Sequence, residues 1–295
     1  MRLEKKATIV SSTTASILVI IKLFVGIMSG SVAVLASAID SFLDLAVSMF
    51  NYFALHNSEK APDEMFNYGR GKIEALAAVI EGLVVTLSGL YILYSAIEKL
   101  LHEQETIYLQ ESIVVMMISL LLTGGLVLFL NHVADKTNSL VIRSDALHYK
   151  TDLYSNTAIL VSLVIIHFTQ LHLIDSILGI LIAVYIIYSA YDLVKEGILI
   201  LMDISLPEET VEKIKSTITS NQYVQGYHFL QTRGSGKDAF VSVHIVFNVS
   251  ISLFDAHRIC DTIEKEIKKI DSDLNWHLVI HPDPYDDSQI NEMEE

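Results

Sequence analysis

The sequence holds a single cysteine, Cys260, in 295 residues. That excludes an intramolecular disulfide framework and any cysteine-rich zinc site. Proline is scarce, with four residues, and glycine has thirteen, so long segments run without a breaker or turn signal. Positive charge is in deficit: 20 Lys and Arg stand against 35 Asp and Glu, a formal net charge of −15. So acidic a chain lacks the clustered cations that neutralise phosphates, which argues against nucleic acid as a partner, while cations remain compatible ligands. No G-x-x-x-x-G-K-[ST] loop is present, so ATP is not expected to drive an activity. No H-E-x-x-H helix or nucleophile motif is present either. The start, MRLEKK, is basic, but the apolar tract after it has no A-x-A-like cleavage site and runs to membrane length, so no cleavable signal peptide is expected.

What the chain does contain is apolar tract. Hydrophobic residues make up 52% of it, concentrated in runs of membrane-spanning length. Six spans are expected, at about 8–30, 33–55, 73–98, 112–133, 146–168 and 174–202. Lys22 lies inside the first, and the second and fifth carry charges that hydropathy alone would penalise. Arg2, Lys5, Lys6, Lys60, Arg70, Lys72, Lys136 and Arg143 fall in the N-terminal segment and in the second and fourth connections. The connections SGS, LHEQETIYLQE and TQLHL have no Lys or Arg, so both termini are expected in the cytoplasm. The fold class is thus an α-helical membrane protein with six transmembrane helices over 1–204, followed by a soluble α+β domain over 205–295. In that domain LPEETVEKIKSTITS reads as a helix, YHFLQTRGSGKDAFVSVHIVFNV as two strands about a Gly-Ser-Gly turn, SLFDAHRICDTIEKEIKKI as a helix capped by Ser252, and LNWHLVIHPDP as a strand. The order αββαβ suggests one sheet with helices on one face.

The fifth span opens with SDALHYKTD, in which His148 and Asp152 lie four residues apart and share a helix face. The second span repeats the spacing with Asp40 and Asp44 in ASAIDSFLDLA. A carboxylate inside a bilayer costs several kcal/mol unless paired, hydrated or metal-bound, and two such groups one turn apart repel. A divalent cation relieves both costs. If the two spans pack together they offer three carboxylates and one imidazole, a shell suited to zinc and also open to ferrous iron or cadmium. A proton relay without metal is the alternative. Glu81 and Asp192, singly placed, are expected to be structural hydrogen bonders or to line a hydrated cavity.

The stretches SGSVAVLASAIDSFLDLAVS, YGRGKIEALAA, SDALHYKTD and VIHPDP, in this order, make the chain resemble the cation diffusion facilitator family, close to its bacterial ferrous-iron and zinc efflux members. The resemblance covers nearly the whole length. It implies a homodimer in the inner membrane, six transmembrane helices and a cytoplasmic metallochaperone-like domain in each protomer. It also implies export of divalent metal by proton antiport, from a midmembrane site at Asp40, Asp44, His148 and Asp152. In the cytoplasmic domain it implies a two-metal zinc cluster at His228, His244, His257, His281 and Asp283. Each histidine taken alone reads as a surface or hydrogen-bonded residue; His277 fits that plainer role, and His102, His132, His167 and His172 look like membrane-interface residues. A further implied feature is an interlock between Lys72 and Asp203.

The chain departs from the family in the loop after the second span. Close relatives carry D-x-x-H-x-x-G-H-G-K there, whereas this chain has DEMFNYGRGK, with Asp63 retained but Phe66 and Arg70 at the histidine positions. Neither replacement can ligate, so no loop metal site is expected. Two other classes compete with a transporter. A metal sensor would not need paired intramembrane acids, and a membrane metalloenzyme would need an open coordination position and a base beside it.

Overall fold

With no proline between Met1 and Ala61 or between Asp63 and Leu206, the apolar tracts have nothing to interrupt a helical backbone. They form six long helices: α1 Leu3–Ser29, α2 Val32–Ser58, α3 Lys72–His102, α4 Gln110–Thr137, α5 Leu140–Thr169 and α6 Leu173–Leu201. The computed structural model describes residues 3–29, 32–102, 110–169 and 173–287. The three connections free of Lys and Arg, His172 and the tail after 287 lie wholly or partly outside the described residues. Among the described residues, five helices are long and apolar enough to cross a membrane, over 3–28, 37–58, 72–98, 116–137 and 176–201. The helix left out is α5, whose first half carries Arg143, Asp145, His148, Lys150 and Asp152. Its 30 residues still measure about 45 Å at 1.5 Å per residue, longer than a bilayer's hydrocarbon core.

Polar side chains in these helices are accommodated locally. In α1 the hydroxyls of Ser12, Thr13, Thr14 and Ser16 each donate to the carbonyl four residues back, at 2.7–2.9 Å. The α4–α5 turn is made by Asn138 at φ 50, a left-handed conformation that asparagine tolerates, with its N–H on Ala134 O at 2.8 Å. Below this turn Leu130, Val133, Val141, Ile142 and Tyr149 are fully buried. Helices α3 and α6 run antiparallel and meet through glycine. A Cβ on Gly82 would lie 2.6 Å from Val194, on Gly89 2.9 Å from Ile187, and on Gly197 2.6 Å from Val79. Only residues without a side chain permit that approach, the small-residue packing typical of membrane helices.

The chain divides into two compact units, with the second beginning at Leu199. It contains α7 Glu208–Thr219, β1 Gly226–Ser235, β2 Asp238–Val246, α8 Leu253–Ile267 and β3 Asn275–Asp283, in the order αββαβ. Strand β2 is central, antiparallel to β1 and parallel to β3. The β1–β2 hairpin closes over Gly236 and Lys237, with Gly236 at φ 62, the backbone shape a tight hairpin needs at that position. Residues alternate along β2: Val241, Val243 and Ile245 bury against Ile214 and Ile218 of α7 and Ile259, Ile263 and Ile267 of α8. Ser252 caps α8, its hydroxyl accepting the Asp255 N–H at 3.1 Å. The alternation leaves His244 on the sheet face away from the helices.

Candidate metal centres

Helices α2 and α5 pack so that His148 Nε2 lies 3.1 Å from Asp44 Oδ1. One ligand atom each from Asp44, His148 and Asp152 falls within 4.8 Å of the others. A tetrahedral shell with bonds near 2.0–2.1 Å spaces neighbouring ligand atoms about 3.3 Å apart, so the Asp44–His148 separation suits two ligands of one ion. The side chains are mostly withdrawn, 19% and 12% exposed for Asp44 and His148. Asp40, one turn earlier on α2, is exposed and stands outside this group. Lys22 enters from α1: its Nζ donates to Ser41 Oγ at 2.7 Å and Ser37 O at 3.3 Å. It is near enough to Asp40, Asp44 and Asp152 to attract them, which offsets part of the cost of placing both signs of charge in lipid.

Beside the triad lies a cluster that the sequence alone does not assemble. Asn51 Nδ2 donates to Glu81 Oε2 at 3.0 Å and to Asp145 Oδ1 at 3.3 Å. Ser144 donates to the same Glu81 oxygen, and Ser48 lies 2.8 Å from the Tyr149 hydroxyl. Asn51, Ser48, Glu81, Ser144, Asp145 and Tyr149 are all 0–2% exposed. Glu81, singly placed in the sequence and expected to be a structural hydrogen bonder or to line a hydrated cavity, accepts from partners 30 to 63 residues away.

The α2–α3 loop is closed by side chains rather than by ligands. Asp63 Oδ1 accepts the N–H groups of Phe66 at 2.8 Å and Met65 at 3.0 Å, while Oδ2 pairs with Arg70 at 2.5 Å. The Arg70 guanidinium lies 4.2 Å over the Phe66 ring. The Phe66 N–H, then Arg70, hold the Asp63 carboxyl below the usual carboxylate range. The two residues at the histidine positions of related loops therefore make a clasp around the one acid retained.

In the second unit three histidines occupy one rung of the sheet. His228 pairs with His244 across β1 and β2, and His244 with His281 across β2 and β3. Their ring centroids are 5.1 and 4.6 Å apart in turn. Asp283, at the end of β3 and 6% exposed, joins all three: Oδ2 is 2.9 Å from His244 Nδ1 and 3.2 Å from His228 Nε2, and Oδ1 is 3.1 Å from His281 Nε2. Asp287 Oδ1 lies 2.9 Å from His228 Nε2, so His228, His244, Asp283 and Asp287 can address a single point. Both ring nitrogens of His228 are buried without hydrogen-bond geometry to any partner, the condition a metal would relieve. This donor set of imidazoles and carboxylates suits zinc. His257 stands apart on α8, its side chain 77% exposed and 3.8 Å from Asp261. His277 bonds Asp238 Oδ1 at 3.1 Å and stacks on Phe240. Asp203 pairs with Arg233 at 2.9 Å. Asp287 sits in a polar tail, where its one sequence signal is the acidic pair after the closing prolines.

Residues 8–202 match the family model of the cation efflux transmembrane domain, and residues 206–285 that of the cation efflux protein cytoplasmic domain. The chain is 32% identical over 284 residues to Protein p34 of Rickettsia prowazekii, covering 96% of this chain and 93% of that one. It is 34% identical over 283 residues to the cation-efflux pump FieF of Klebsiella pneumoniae, covering 96% and 93%. For the FieF of Shewanella oneidensis the identity is 35% over 280 residues, covering 95% and 94%. With both halves matched in order and relatives aligned over more than nine-tenths of each chain, the chain belongs to the cation diffusion facilitator family and is a transporter of the cation efflux class rather than an enzyme.

Proposed function

We propose that this protein exports divalent metal from the cytoplasm by proton antiport, with zinc as the main cargo and ferrous iron or cadmium as compatible ones. The observation that carries this is the Asp44–His148–Asp152 triad, drawn together from α2 and α5. Asp40 completes the shell as the fourth ligand when metal is loaded. Protons and metal compete for the same atoms, because ligation needs a neutral imidazole and ionised carboxylates; an inward proton thereby displaces an outgoing ion.

In this reading all six long helices span the inner membrane with both termini in the cytoplasm, and α5 counts as a span because His148 and Asp152 on it face the ion path. Residues 1–204 form the transmembrane domain and 205–295 the cytoplasmic domain. The protein works as a homodimer in the bilayer, with Lys72 and Asp203 as an interlock. Zinc resident in the cytoplasmic domain would be held by His228, His244, His281 and Asp283, with Asp287 as a further ligand and His257 contributing from a second copy. There it would supply cross-linking charge rather than chemistry. The test is zinc flux into proteoliposomes against an imposed pH gradient. Flux that collapses when the gradient is dissipated supports antiport; flux indifferent to pH removes it. No flux at all would favour a sensor.

A further inference from the structure

The cluster around Glu81 is almost fully buried, and the metal triad does not use it. Glu81 of α3 and Asp145 of α5 are 2% and 0% exposed. The donors that reach them are neutral: Asn51 Nδ2 reaches Glu81 Oε2 and Asp145 Oδ1, Ser144 reaches Glu81 Oε2, and Ser48 reaches Asp145 Oδ1 at 3.5 Å. The other oxygens, Glu81 Oε1 and Asp145 Oδ2, are buried with no hydrogen-bond partner, and so is Asn51 Oδ1. From α5 the titratable groups facing the cluster are His148, already engaged by Asp44, and Tyr149; α2 offers Asp44 farther off, and α1 offers the hydroxyl of Ser11.

Two carboxylates this dry, linked by one amide, cannot both stay ionised without a cation. The Asn51 NH2 decides which cation. It points at both acids, where a metal would need lone pairs, and an NH2 group offers none. We infer that Glu81 and Asp145 form a proton-binding site, separate from the metal triad, in which the pair holds one proton. The O–H so formed turns an unpartnered oxygen into a donor for the acceptors beside it.

A consequence rests on the metal reading above. Asp145 lies three residues before His148 on one helix, so a divalent ion at the triad brings positive charge close to the pair and favours loss of its proton. Proton release on metal binding would then come from this pair as well as from the triad.

Infrared spectroscopy of the full-length, metal-free protein in nanodiscs tests the site without invoking metal. A protonated carboxylic C=O band is expected at neutral pH, removed or shifted in both Glu81→Gln and Asp145→Asn. Either amide supplies the hydrogen that the proton supplied, so the variants should keep their melting temperature. If a variant fails to fold, alkaline titration of the wild-type band serves instead: bleaching at high pH supports the site. The inference is overturned if wild type has no such band at neutral pH, or if both folded variants keep it unchanged. It is also overturned if calorimetry finds Glu81→Gln missing one bound zinc per protomer, which would make the cluster a metal site. Indicator dyes then test the linkage: zinc should release about one proton fewer from Glu81→Gln than from wild type. Should zinc fail to bind wild type while the band is present, the metal reading falls and the proton site stands.

Discussion

Asp283→Asn, made in the isolated domain 205–295, removes the one charge that touches all three histidines of the rung, at 2.9, 3.2 and 3.1 Å. The domain has its own core beneath the sheet, so its melting can be followed alone. Zinc at a hundred times its dissociation constant should stabilise the wild-type domain by about 2.7 kcal/mol. For a domain of this size that is a rise of about 10–20 °C in Tm. Loss even of outer partners of a metal site weakens binding about 10–100-fold, and Asp283 is placed as a direct ligand. At a 100-fold loss the same zinc concentration leaves about 0.4 kcal/mol, a shift of about 2–3 °C. Scanning calorimetry with and without zinc reads this difference directly. An equal zinc-induced shift in wild type and Asp283→Asn would refute the cluster and return the histidines to surface roles.

Asp152→Asn should abolish zinc flux in proteoliposomes while expression and melting stay near normal, because the amide keeps the shape and removes the anion; near-normal flux would sink the triad. His148→Asp makes the shell all-oxygen and should move preference from zinc towards the harder manganese, by about tenfold or more in competition assays; unchanged discrimination would mean this histidine is not the filter. Asp63→Ala should leave bound zinc and flux unchanged, because the acid is already held by Arg70 and the Phe66 N–H; calorimetry finding one metal fewer would mean the loop binds after all.

The parts legible in the sequence were those set by local pattern. Apolar runs marked α1–α4 and α6, alternation marked β2, and Ser252 marked the start of α8. The nearness of His148 and Asp44 was suggested by each lying one turn from a second candidate ligand on its own helix. What the sequence withholds is register. His228, His244 and His281 form one rung only because β1 slips between His228 and Gln231, with Phe229 at φ 48, and nothing in YHFLQTR announces that slip. The same holds for Asn51, Glu81 and Asp145, each unremarkable alone and joined only by how α2, α3 and α5 rotate. Asp40 shows the converse: its spacing from Asp44 is ideal, yet it is exposed, since sharing a face does not place two side chains at one depth.

The glycine seam between α3 and α6 bears on how such a machine can move. At Gly82, Gly89 and Gly197 the opposing side chains already occupy the room a methyl group would need. Two helices meshed at three such points resist sliding along one another, because each notch would have to climb over the next side chain. They form a stiff beam, and any alternation of access to the two sides of the membrane has to be carried by the other helices rocking against that beam. A substitution such as Gly197→Val would then act less as damage to binding than as a wedge, changing the rate of switching while leaving the ligands in place.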